Sequence, residues 1–122
     1  MQINREAGIV SNAITAYTEG EVRMRDRVFH TSLIATRDHV IAEWKAAPVD
    51  RLAILDFEGL LELAPKVVIL GTGRRQHMPP PELFAAFAAR GIGLEVMDTG
   101  AACRTYNLLL SENREVAIAL IV

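Results

Sequence analysis

The sequence predicts a mixed α/β domain, antiparallel in its N-terminal half and a parallel βαβαβ unit in its C-terminal half. Three observations predict it. Val67-Val68-Ile69-Leu70 is an unbroken apolar run with β-branched residues, bounded by Pro65 and Gly71, as suits a strand buried on both faces. Pro79-Pro80-Pro81 opens a segment in which Leu83, Phe84, Phe87 and Ala88 recur at helical spacing, and Gly91 follows where a left-handed cap belongs. Residues 94–97 and 116–122 read as two further strands, with a helix over 101–111 between them. Strands joined through helices at this spacing pair in parallel.

The antiparallel half reads as a run of short strands. Residues 1–12 carry little periodicity and read as a loose arm or an edge segment. Residues 13–18 lead into the turn signal Glu19-Gly20. Over 21–25, Val22 and Met24 alternate with Arg23 and Arg25, a half-buried strand with a basic outer face. Asp26-Arg27 reads as a tight turn, 28–35 as the returning strand, and Arg37-Asp38 as the next turn. Residues 40–44 form a fourth strand with Val40, Ala42 and Trp44 on one face, completing a meander. Pro48 ends it.

Between the halves, Asp56 is placed to cap a short helix over 57–63 that offers Leu60, Leu61 and Ala64 to the core. Gly59 costs that helix about 1 kcal/mol. In the last helix Thr99 reads as the N-cap, Thr105, Leu108 and Leu109 as one shared face, and Glu112-Asn113 as the end.

Composition narrows the class. At 122 residues the chain fits a single domain over 1–122, and 51% hydrophobic residues supply a core without metals or disulfides. A net charge of −2 leaves no global electrostatic footprint for nucleic acid. One cysteine, Cys103, excludes an intrachain disulfide and fits a reducing compartment. The first residues open no apolar signal segment, Glu6 argues against a transit peptide, and the longest apolar runs are too short to span a bilayer. A soluble, cytoplasmic domain without membrane insertion is expected.

Few residues carry chemistry. Gly71-Thr72-Gly73 after a strand invites a nucleotide reading, but a dinucleotide fingerprint needs a third glycine where Gln76 stands, and no Walker A sequence follows. A tight turn is the plainer reading. If the first two parallel strands are neighbours, the 71–73 turn lies beside Asp98-Thr99-Gly100 at their carboxyl ends. The start of the last helix then offers free N–H groups, with Arg74, Arg75 and His77 close by, and an anion site follows from that geometry. Cys103 and Arg104 fall in the first turn of that helix, which favours thiolate. His77 and Asp98 are imaginable as base and orienting group, but nothing in the spacing demands it, and a packed, inert thiol is the simpler role. His30, His39 and His77 show no metal-ligand spacing. Arg23, Arg25 and Arg27 make a basic stripe diluted by Glu19, Glu21 and Asp26, and Asp56, Glu58 and Glu62 read as a polar helix face. Asn107 reads as a residue that holds a loop carbonyl.

The succession Leu70-Gly71-Thr72-Gly73-Arg74-Arg75-Gln76, Pro79-Pro80-Pro81-Glu82-Leu83, Arg90-Gly91-Ile92-Gly93 and Met97-Asp98-Thr99-Gly100-Ala101-Ala102-Cys103-Arg104-Thr105-Tyr106-Asn107 resembles a small domain family of unknown function. That family includes the mitochondrial complex I assembly factor of the NADH dehydrogenase alpha-subcomplex, and this chain resembles its bacterial members. The resemblance covers essentially the whole chain and is weakest before Ile14. It implies a three-layer β+β/α fold and no catalytic set.

The sequence reading is therefore a non-enzymatic protein-binding or assembly-factor-like domain without cofactor or metal, whose partner is another protein, such as a respiratory-chain subunit. The rival is a small-molecule or anion-binding protein, or a Cys103-dependent enzyme. It would use a crevice formed by Gly71, Thr72, Gly73, Arg74, Arg75, Asp98, Thr99, Gly100 and Cys103. The two differ in whether that crevice is open and polar or filled by side chains.

Overall fold

The computed structural model describes residues 12–122, so the reading of residues 1–11 lies outside it. Among the described residues eight strands form two sheets. Strands β1 (Ala16–Thr18), β2 (Glu21–Met24) and β3 (Arg27–Phe29) make an antiparallel sheet in sequential order. The larger sheet has the order β5-β4-β8-β6-β7, with β4 (Leu33–Ala35), β5 (Val40–Ile41), β6 (Val67–Gly71), β7 (Gly93–Met97) and β8 (Val116–Leu120). The α-helices among the described residues are, in chain order, α1 (Glu58–Glu62), α2 (Pro81–Ala89) and α3 (Thr99–Ser111). Two short 3-10 segments, Val49–Arg51 and Ile54–Phe57, precede α1.

The predicted parallel half is present. β6 pairs in parallel with β7 on one side and β8 on the other, with Gly71 level with Met97 and Leu120. The mixed sheet separates two apolar layers. On one face Ile69, Ile118 and Leu33 pack with Ala102, Tyr106 and Leu110 of α3 and with Val22 and Met24 of the small sheet. On the other, Val68, Leu70, Ala117 and Ala119 pack against Phe57, Leu60, Leu83 and Phe87. Every residue of β8 is buried, so its apolar run serves both faces and needs no alternation. The result is three layers, the central sheet lying between α1 with α2 and α3 with the small sheet.

The meander needs correction. Residues 28–35 do not run as one strand; β3 and β4 belong to different sheets, and β4 pairs antiparallel with β8 instead of with β3. Leu33, Ile34 and Ala35 are all buried, a pattern of a strand covered on both faces, which the short gap of three residues after Phe29 conceals. The tight turn is Arg25-Asp26, with Arg25 at φ 54, because Met24 pairs with Arg27. The fourth strand stops at Ile41. Trp44 leaves the sheet and donates its indole N–H to the carbonyl of Asp56 at 2.8 Å.

Two caps also differ. Asp56 does not cap α1; its carboxylate accepts from the Ala53 N–H at 2.9 Å and closes the 3-10 segment before it. The N-cap of α3 is Asp98, whose carboxylate accepts from Ala101 N–H at 2.9 Å, a position where a negative charge also meets the positive end of the helix. The buried face of α3 is Thr99, Ala102, Cys103, Tyr106 and Leu110. Leu108, read as sharing one face with Thr105 and Leu109, is 57% exposed. Helical spacing alone fits either stripe, and the Tyr106 stripe buries more side chain.

Candidate functional site

The fold brings the 71–73 turn and the start of α3 together at the carboxyl ends of β6, β7 and β8. Chain reversal occurs here: α2 leads from β6 to β7, then α3 leads back past β6 to β8. Such a switch point is where open α/β sheets commonly hold ligands. In this chain Thr99 fills it. Its hydroxyl accepts from the Gly73 N–H at 2.8 Å and donates to the Ile121 carbonyl at 2.8 Å. Its own N–H donates to the Gly73 carbonyl at 2.8 Å, Thr72 N–H to Met97 at 3.0 Å, and Ile121 N–H to Gly71 at 2.9 Å. Thr99 is fully buried, so these bonds are made away from water and leaving any of them unmade would be costly.

The two glycines serve the closure differently. A Cβ at Gly71 would meet Leu120 Cδ2 at 2.8 Å and Ala102 Cβ and Thr99 Cα at 3.0 Å; the absent side chain lets α3 lie against β6. Gly73 has φ +100 with open space where a Cβ would stand, so it supplies the left-handed turn. Thr72 locks the next residues, donating to the Arg75 carbonyl at 2.6 Å and accepting from His77 N–H at 3.0 Å.

Two donors that an anion cradle would use, the Gly73 and Thr99 N–H groups, are thus engaged within the chain, and Asp98 places its own carboxylate at the N-terminus of α3. Arg74 and Arg75 are exposed, and Arg74 approaches Glu19 at 3.6 Å on the surface. Surface depressions of about 260 to 410 Å³ indent the described residues, and the one beside the start of α3 is lined by Gly100 and Cys103 but not by Gly71, Thr72, Gly73, Asp98 or Thr99.

Cys103 lies apart from those glycines, in a depression of about 260 Å³ between β1 and α3 that Tyr17, Gly100 and Arg104 also line. It is 5% exposed. Burial pushes its thiol up to about 12, with Asp98 adding to the rise and Arg104 offsetting only part of it. The helix start and the arginine that favour thiolate are outweighed by desolvation. Tyr17, which the sequence did not single out, shares that depression. Its phenol is raised, first by burial and then by Cys103, Glu19 and Asp98. Only tertiary contact between β1 and α3 could reveal it.

Asn107 does hold a loop, through both of its amide groups. Nδ2 donates to the Ile14 carbonyl at 2.7 Å and Oδ1 accepts from the Ile14 N–H at 2.9 Å, tying the entry of β1 to α3. The basic stripe is broken up. Arg25 sits in the turn, Arg23 lies 3.5 Å from Glu21, and the guanidinium of Arg27 stands 4.9 Å over the Phe29 ring.

The fold and closure define a class: a small three-layer α/β protein whose strand switch point is closed by its own threonine. The chain belongs to the family described as "Protein of unknown function (DUF498/DUF598)", whose model matches residues 14–121. It is similar to the NADH dehydrogenase [ubiquinone] 1 alpha subcomplex assembly factor 3 of Danio rerio, 39% identical over 83 residues, 66% of this chain and 48% of that protein. It is also similar to a 13 kDa major membrane protein of Francisella tularensis, 39% identical over 62 residues, 51% of this chain and 50% of that one. The chain spans about half the length of these curated relatives. An NMR structure of a Xanthomonas campestris protein, 37% identical, superposes with a TM-score of 0.84 over 100% of this chain and 92% of the other. Among the described residues no helix is long and apolar enough to cross a membrane.

Proposed function

We propose that this chain is a non-enzymatic, protein-binding domain of assembly-factor type, acting on a respiratory-chain subunit or its precursor. The observation that carries the reading is the Thr99 closure. The place where this topology would hold a small molecule is occupied by a side chain that satisfies Gly73 and Ile121. Similarity to proteins named as complex I assembly factors supports the same reading. The buried Cys103 thiol, held neutral at physiological pH, weighs against nucleophilic catalysis.

The test is quantitative pull-down of the tagged protein from its host lysate at low and moderate salt, with Cys103→Ala alongside. A respiratory-chain subunit or precursor should be recovered equally by both proteins. Recovery of no partner, together with turnover of a small metabolite that Cys103→Ala abolishes, would replace this reading with an enzyme.

A further inference from the structure

An open sheet leaves a row of unpaired backbone groups along each edge strand, and such a row is a template for another strand. The edges here are unequal. β5 has two residues and β1 and β3 three each, whereas β7 presents five. Among the described residues β7 pairs with β6 alone. The Gly93 N–H donates to the Lys66 carbonyl, and the Met97 carbonyl accepts from the Thr72 N–H, both at 3.0 Å. Alternation along a parallel ladder then turns the backbone groups of Gly93, Glu95 and Met97 toward β6, and those of Leu94 and Val96 outward.

Among the described residues one side chain meets that outer row. Gln76 donates from Nε2 to the Val96 carbonyl at 3.0 Å. Its placement is built into the loop. The Thr72 hydroxyl donates to the Arg75 carbonyl at 2.6 Å and accepts from the His77 N–H at 3.0 Å. Both chain neighbours of Gln76 are thereby tied to a buried residue. Pro79 is buried as well, and three consecutive prolines fix φ on the way into α2. Little backbone freedom is left to carry Gln76 off the edge.

The position matters because of what a second copy of the chain would need. Two β7 edges meeting antiparallel about Glu95 would set Leu94 of each opposite Val96 of the other, each pair exchanging N–H···O=C bonds. Half of those bonds would use a Val96 carbonyl, the acceptor that Gln76 holds, and its side chain lies where the incoming strand would run. The same arrangement would bring the two Glu95 carboxylates face to face. Glu95 is exposed on its strand, and like charges directly opposite one another destabilise a strand pair. We propose that Gln76 is a latch on the β7 edge, acting with Glu95 to bar a second copy of this chain from extending the central sheet. The latch does not depend on the assembly-type reading; it gives a role to a loop residue that the Thr99 closure does not use.

Sedimentation equilibrium over a wide range of protein concentration tests it, with hydrogen exchange of the Leu94 and Val96 amides read on the same samples. Gln76→Ala/Glu95→Thr should tighten self-association about tenfold or more relative to the wild type, with each single variant in between. In the double variant those two amides should exchange about tenfold more slowly at the highest concentration than at the lowest. In the wild type their exchange should not depend on concentration. Both side chains are exposed, so the double variant should keep the urea midpoint of the wild type, and slowed exchange at Leu94 and Val96 distinguishes strand pairing from aggregation of unfolded chains. A double variant that sediments as the wild type does, or that associates without slowing these amides, would overturn the latch. So would concentration-dependent protection of Leu94 and Val96 in the wild type.

Discussion

The closure at the carboxyl ends of the parallel strands and the depression of about 410 Å³ that Ala53, Ile54, Pro80 and Ala86 line beside α2 are two concave regions with opposite fates. At the closure the free groups are polar, and the chain has within it a threonine of the right reach to satisfy them. The depression is lined mostly by apolar side chains, with the exposed Arg51 and Glu82 at its walls. Unmade backbone hydrogen bonds are costly enough that folding tends to consume them. Exposed apolar surface persists. At the switch point of this domain, polarity completes the fold.

That contrast breaks first if the closure tolerates change. Gly71→Val should have the largest effect, about 3 kcal/mol of destabilisation by overpacking. The new side chain meets Leu120, Ala102 and the backbone at Thr99; an unchanged urea midpoint would refute this packing. Thr99→Val keeps the shape and removes the hydroxyl, stranding the Gly73 N–H and the Ile121 carbonyl. It should cost about 2 kcal/mol in the same measurement, whereas Thr99→Ser should retain more than half of the lost stability. A larger loss for serine than for valine would show that the methyl group, and not the hydrogen bonds, holds the closure.

Gly73→Ala should cost about 1 kcal/mol, from its positive φ alone, since a Cβ there meets nothing. A loss as large as that of Gly71→Val would mean that the two glycines do the same job.

The pH profile sharpens the comparison further. Cys103 in the folded state holds its proton up to about 12, against 9.0 for the free group. The native state therefore binds more protons than the unfolded chain between those values. The thiol's contribution to stability is fully present below pH 9 and is lost as pH rises toward 12. Tyr106, whose buried phenol is also raised, steepens the same decline above pH 10. Denaturant melts across this range should show Cys103→Ala with a shallower alkaline loss than the wild type. Identical slopes would place the thiol in water.

The smallest effect belongs to the surface. Arg74→Ala removes only an exposed pairing with Glu19, and stability should change by no more than about 0.5 kcal/mol. If the Arg74→Ala/Arg75→Ala protein also lost a phosphate-dependent rise in melting temperature, the crevice would bind anions despite its internal bonds.

Much of this architecture was legible in the sequence, because local signals carried it. The run from Val67 to Leu70, the triple proline before α2 and the left-handed Gly91 each act within a few residues. Their spacing is enough to set strand, helix and strand in parallel. Asn107 announced its role too, as an amide within an otherwise packing helix. The N-terminal strands were less legible. Leu33, Ile34 and Ala35 carry no mark that separates them from Phe29, and only the presence of β8 as a partner decides that they join the larger sheet.

The site divides the same way. Proximity of Gly71-Thr72-Gly73 to Asp98-Thr99-Gly100 follows from strand order and could be read in advance. Whether the place between them is open could not. That depended on which of two neighbouring residues capped α3. With Asp98 at the cap, Thr99 turns inward, and its hydroxyl reaches Gly73 and Ile121, residues 26 and 22 positions away. Composition and periodicity report the free energy of short segments. Filling a crevice depends on distances between segments far apart in the chain, and only the tertiary structure sets those.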